Sequence, residues 1–119
     1  MSRPRLFITG LGAVTPVGIG VPAYWEGLLA GTCGIGEITG LDPAALPVTR
    51  AAQIRDFRAR DYLSMKLVQD LEPYMQYAYI AAEEAMAQSG LPGDSDRVGV
   101  IMGTALSGLA MISETGAQW

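Results

Sequence analysis

Histidine is absent from this 119-residue chain, and cysteine occurs once, as Cys33. The first absence removes the side chain that most often acts as general base or metal ligand near neutral pH. The second excludes an internal disulfide and makes a reducing compartment the default. Charge is scarce as well. Only 17% of residues are charged, and 8 basic against 12 acidic side chains leave a formal net charge of −4. The cations are scattered singly, so the clusters that neutralise a phosphate backbone are missing and nucleic-acid binding is disfavoured. No apolar run approaches the ~18 residues of a membrane span. Arg3 and Arg5, followed by an apolar stretch to Val21, imitate a signal peptide, but four glycines and Pro16 interrupt it and no A-x-A-like cleavage site follows. The expectation is a cytoplasmic, unprocessed chain without membrane contact.

What is present is hydrophobic. Half the residues are apolar, and the length suits one domain with a core. Residues 6–20, LFITGLGAVTPVGIG, read as a short strand over 6–8 that breaks into Gly10, Gly12, Gly18 and Gly20. A strand entering a glycine-rich loop raises a dinucleotide site, in which glycines let a helix N-terminus approach a pyrophosphate. The third glycine of that fingerprint belongs at position 15, where Thr15 stands, followed by Pro16.

The rest of the chain divides at its prolines and glycines. A helix is predicted over 22–30, with Pro22 in its first turn, Tyr24, Trp25, Leu28 and Leu29 on one face and Gly31 ending it. Residues 32–36 (TCGIG) read as a turn, and 38–49 as irregular apart from a short helical turn after Asp42. A short strand is predicted over 51–54. A charged, mobile-looking piece over 55–61 leads to a helix capped by Ser64 or Asp61, with Leu67, Val68 and Leu71 on its apolar side. Pro73 must break that helix and start another, which runs to about Ser89. In it Met75, Ala78, Tyr79, Ala82, Ala85 and Met86 recur at helical steps, and the small alanines imply close packing. RVGVIM at 97–102 has the near-continuous apolar pattern of a parallel strand covered on both faces. A second strand-to-loop junction follows, and 109–119 would begin another helix. Two strands cannot close a sheet over this many helices, so the chain reads as cut off.

In order along the chain, the segment from Thr9 to Gly18 (TGLGAVTPVG), then Trp25, Leu28-Leu29-Ala30-Gly31, Gly34-Ile35-Gly36, Asp42, Asp56-Phe57, Gln76-Tyr77-Ala78 and RVGVIMG at 97–103 resemble the β-ketoacyl-(acyl carrier protein) synthases. The resemblance is collinear over almost the whole chain. It implies an α/β, thiolase-like layered αβαβα fold made of two similar halves, of which residues 1–119 are the N-terminal part of the first. Such enzymes add a two-carbon unit from malonyl-carrier protein to an acyl thioester, with loss of carbon dioxide. A cysteine takes the acyl group, and two histidines assist decarboxylation and stabilise developing negative charge. The resemblance places those three residues beyond Trp119. The expectation for this segment alone is therefore no catalytic residue, no cofactor and no metal.

Cys33 falls in the turn after the first helix, where the family usually has a serine, and is expected to be an ordinary, partly buried residue. Leu106 matches a position that lines the acyl pocket near the dimer interface. Its neighbours Ala105 and Ser107 stand where glycines are common, so simple packing is an equal alternative. The helix before Pro73 often carries several cations that meet the acidic carrier protein. Here Met65, Gln69 and Asp70 take such positions and Lys66 alone remains, which weakens electrostatic steering. Either the carrier docks farther along the chain, or this is a non-catalytic relative such as a chain-length-factor subunit. The implied partners are acyl carrier protein and a second, identical or related, ketosynthase subunit. A Rossmann-type binding module is the third reading, and a titration with NAD or NADP that shows no saturable binding disposes of it.

Overall fold

The computed structural model describes residues 3–105 and 108. Helix α1 spans Val21–Leu29. Gly20 enters it at φ 85°, a left-handed conformation that costs glycine least, and Pro22 lies in the first turn. At the other end Gly31 turns at φ 68°. Its N–H donates to the Leu28 carbonyl (3.1 Å) and that of Thr32 to the Gly27 carbonyl (2.9 Å), the paired bonds of a Schellman motif.

The chain next forms an antiparallel hairpin. Strand β1 (Ile35–Glu37) pairs with β2 (Arg50–Ala52), with Ile35 opposite Ala52 and Glu37 opposite Arg50. The turn predicted over 32–36 therefore ends earlier, because Ile35 and Gly36 find ladder partners fifteen or so residues away that local pattern does not reveal. Ile38 N–H extends the pairing to the Thr49 carbonyl at 2.8 Å, and the Gln53 side chain separately accepts from Thr39 N–H at 2.9 Å. The Arg55 guanidinium lies over Gly36 and reaches across to the Glu37 carbonyl at 2.6 Å, so a side chain at position 36 would push the arginine aside. Between the strands Asp42 Oδ1 accepts from Ala44 N–H at 3.0 Å and starts a 3-10 turn, Pro43–Ala45, where a short helical turn was expected.

Helix α2 (Met65–Asp70) is capped by Ser64, whose Oγ accepts from Leu67 N–H at 3.4 Å; Asp61 instead closes a 3-10 turn, Ala59–Asp61. The break falls at Leu71 and Glu72, and α3 runs Pro73–Ser89 to Gly90 at φ 64°. The charged piece over 55–61 is not loose, since Phe57 stacks on Tyr62 (5.8 Å between ring centroids) and meets Tyr77 edge-on (4.9 Å).

Two expectations are corrected. Residues 6–8 and 97–102 form no strand. Leu6 is 94% exposed and Ile101 97%, and neither run has a ladder partner among the described residues. An apolar run records only that both faces are meant to be covered; a strand also needs neighbours for its backbone N–H and C=O groups. The one β-bridge near the first run joins Val14 to Ile19. Among the described residues Leu63 is the buried apolar side chain. The chain exposes 9936 Å², against roughly 6,200 Å² for a folded monomer of this mass. No helix among the described residues is long and apolar enough to cross a membrane.

This surface predicts behaviour in isolation. Residues 1–119 expressed alone should bind a hydrophobic dye strongly and melt without a sharp cooperative transition. A dye-silent monomer with a steep calorimetric peak would contradict it.

Candidate functional site

The N-terminal segment lies directly on α3. A Cβ on Gly10 would collide with the Ala85 carbonyl, and one on Gly12 with the Ala81 carbonyl. Ala81 and Ala85 are one helical turn apart, about 6 Å, a distance that two residues cover only when nearly extended. The segment's amides turn to the same helix: Leu11 N–H donates to Gln88 Oε1 (2.6 Å) and Ala13 N–H to Glu84 Oε2 (3.0 Å). Polar side chains of α3 thus accept the bonds a neighbouring strand would otherwise take. The row of α3 under the segment passes through the half-buried Ala81, Glu84 and Ala85 to the exposed Gln88; of the residues assigned above to the packed face, Ala78, Ala85 and Met86 are half-buried, whereas Met75, Tyr79 and Ala82 are exposed. Rows of alanine on adjacent stripes look alike to a periodicity argument; the glycines opposite choose between them.

Glu84 has a second task. Its Oε1 accepts from Val21 N–H at 2.7 Å, at the first turn of α1, where amides lack intrahelical partners and the helix dipole favours an anion. That helix N-terminus is therefore filled by the chain's own carboxylate, not open to a pyrophosphate. The intervening turn is held by Thr15, whose N–H donates to the Gly18 carbonyl at 3.0 Å and whose Oγ1 accepts from Gly18 N–H at 3.1 Å. Thr15 and Pro16, which broke the dinucleotide fingerprint, build this turn.

Beside α1 an apolar groove of about 420 Å³ is lined by Leu11, Gly12, Ala13, Val21, Tyr24, Trp25 and Leu28. The packed face of α1 carries Gly27, which a Cβ would drive into the Val17 side chain; Trp25, Leu28 and Leu29 face outward. In the first turn of α3, Gln76 is a buried polar side chain, 7% exposed. Its Nε2 donates to the carbonyls of Val68 (3.2 Å) and Leu71 (2.8 Å), at the C-terminal end of α2.

Lys66 is exposed on α2, as are Met65, Gln69 and Asp70. The 3-10 turn packed on α2 adds Arg58 and Arg60, and a cleft of about 470 Å³ is lined by Arg58, Ala59, Arg60, Asp61 and Val68. Arg58 Nε stands 3.8 Å from Asp61 Oδ2 in an exposed ion pair. Cys33 is exposed rather than partly buried: it joins the end of α1 to β1, where no other element covers it, and its Sγ lies 3.9 Å from the Ile35 carbonyl. Tyr79 is held above the ordinary phenol value of 10.0 because the Glu83 carboxylate accepts its hydrogen bond and repels the phenolate. That is a surface pair on α3 and lines neither cleft described above. Leu106 and the helix expected over 109–119 lie outside the described residues. Glu84, Gln88 and the structural role of Gln76 were missed from sequence. The available signal was a set of polar residues spaced 4 and 8 apart on an alanine-rich stripe.

Residues 3–118 match the model of the beta-ketoacyl synthase N-terminal domain. The chain belongs to the beta-ketoacyl synthase family. It is 36% identical to the 3-oxoacyl-(acyl-carrier-protein) synthase 2 of Coxiella burnetii over 117 residues, which are 96% of this chain and 28% of that protein. With the protein of the same name from Synechocystis identity is 31%, again over 96% and 28%. With that from Staphylococcus aureus (strain COL) it is 34% over 88% of this chain and 26% of the relative. The chain thus spans under a third of the length of these relatives. Among solved structures it is similar to the ishigamide ketosynthase/chain length factor, at a TM-score of 0.62 and 32% identity, covering 73% of this chain and 22% of that one. The family match accounts for the Thr-Gly-Leu-Gly segment, and the structure supplies its reason: in this ketosynthase segment the glycines bring backbone onto backbone.

The clamp is directly testable. Hydrogen bonds to a charged acceptor contribute about 1.5–3 kcal/mol each. Glu84→Ala should therefore speed amide exchange at Ala13 and Val21 by roughly tenfold or more, each 1.4 kcal/mol being tenfold. Exchange at those two amides unchanged in Glu84→Ala would remove the clamp from the account.

Proposed function

We propose that this chain is the N-terminal portion of a 3-oxoacyl-(acyl carrier protein) synthase of thiolase-like αβαβα fold, working in fatty acid or polyketide synthesis. The parent enzyme would condense malonyl-carrier protein with an acyl thioester by decarboxylative Claisen condensation. The observation that carries this reading is the collinear family match over residues 3–118, with relatives that bear that enzyme's name. Residues 1–119 would be one part of the ketosynthase domain and would supply scaffold and docking surface rather than reacting groups. The nucleophilic cysteine and the two histidines would come from a following segment. On this reading the exposed apolar runs at 6–8 and 97–102 would become strands only beside the rest of the sheet, which fits sequences suited to burial on both faces.

Lys66 is then a contact for the acidic acyl carrier protein, and the arginines beside it, Arg58 and Arg60, restore part of the positive field that Met65, Gln69 and Asp70 take away. Leu106 would line the acyl pocket. The enzyme would act in the cytoplasm as a dimer with an identical or related subunit. A second reading is favoured by the solved ketosynthase/chain length factor pair and by the single lysine on α2: the chain would belong to the non-catalytic subunit of such a pair.

Sequencing past codon 119 separates the two. A cysteine at a strand-to-helix turn with two later histidines supports the enzyme; their absence, with co-purification of an active ketosynthase, supports the partner subunit. For the docking surface, Lys66→Glu in the full-length protein should weaken carrier-protein binding about threefold to tenfold at low salt, with the difference shrinking as salt is raised. Equal affinity for both forms at low salt would move the docking site elsewhere.

A further inference from the structure

We infer that Gln76 is a positioning residue for carrier-protein docking, acting through α2 without touching the partner; this rests on the reading of Lys66 given above. Helix α2 has six residues and ends against a proline-led helix. Its last carbonyls need donors from elsewhere, and so short a helix holds little orientation of its own. Pro73 brings no N–H to the junction. The two hydrogens of the Gln76 side-chain amide fill the gap, one on the Val68 carbonyl at 3.2 Å and one on the Leu71 carbonyl at 2.8 Å.

Gln76 stands on the first turn of α3 and is 7% exposed, so its amide is a buried strut between the two helices. Phe57 packs edge-on against Tyr77, the next residue of α3, and stacks on Tyr62 before α2, a second tie between the two segments. The direction in which Lys66 points is thereby set by a side chain that never meets the carrier. Nothing else in the joint supplies a paired donor to both carbonyls among the described residues. A hydrocarbon of the same size at that position would leave two carbonyls unpaired.

The test uses the full-length ketosynthase in wild-type, Gln76→Met, Gln76→Glu, Lys66→Ala and Gln76→Met/Lys66→Ala forms. Met keeps the length without donors, and Glu keeps it while turning both donors into acceptors; either one that folds suffices. Amide exchange at residues 67–71 should rise, with exchange in the second half of α3 unchanged. KM for a carrier-borne acyl substrate should rise about threefold or more, with kcat and the KM for a carrier-free acyl thioester held. On a Lys66→Ala background the Gln76 effect should shrink, since both act through one contact. If Lys66→Ala raises the carrier KM and the Gln76 variants do not, the positioning role is overturned while the docking site stands. If neither changes it although exchange at 67–71 rises, the docking reading of α2 fails and takes this inference with it. Loss of kcat with both substrates would mark Gln76 as a general structural residue and overturn the inference too.

Discussion

The N-terminal segment lies on α3 only because Gly10 and Gly12 carry no side chain. Each sits over a helical carbonyl, at Ala85 and Ala81, so closely that any Cβ would have to displace backbone. Backbone-on-backbone contact turns the amides of the segment toward α3, where they need acceptors. Glu84 and Gln88 supply them, one turn apart on the same face. From that contact follow the position of the Thr15 turn, the filled N-terminus of α1 and the path of the chain into β1.

A carboxylate shared by an extended segment and a helix N-terminus changes how the glycine-rich stretch is understood. The features that suggested a phosphate cradle serve an internal anion instead, held at 2.7 Å and 3.0 Å by amides of Val21 and Ala13. Glycine-rich loops and helix N-termini are general devices for bringing backbone N–H groups close to negative charge. Whether that charge is a ligand or a side chain is decided by what packs opposite.

At the far end, α2 and α3 meet through a different polar device. The break at Pro73 frees carbonyls, Gln76 returns into the break to satisfy them, and Phe57 ties Tyr62 before α2 to Tyr77 on α3. Elsewhere the described residues leave broad apolar surface uncovered, Trp25, Leu28 and Leu29 on α1 and the apolar runs at 6–8 and 100–102 foremost. Those surfaces fit a chain that spans under a third of the family members it matches.

Helix boundaries were legible in the residues themselves. Gly31 and Gly90 stop α1 and α3, Ser64 caps α2, and Pro73 divides α2 from α3, because stopping, capping and breaking are local acts of backbone conformation and nearest donors. Family membership was legible for a related reason, since the order of short motifs survives where contacts are not visible. Pairing was not legible. The β1–β2 hairpin joins residues such as Ile35 and Ala52 that share no local signal, and the runs at 6–8 and 97–102 state a wish for burial without naming a partner. The tertiary structure alone decided which alanine row of α3 is covered, what fills the end of α1 and why Gln76 is buried, because each depends on a group dozens of positions away or across a helix break.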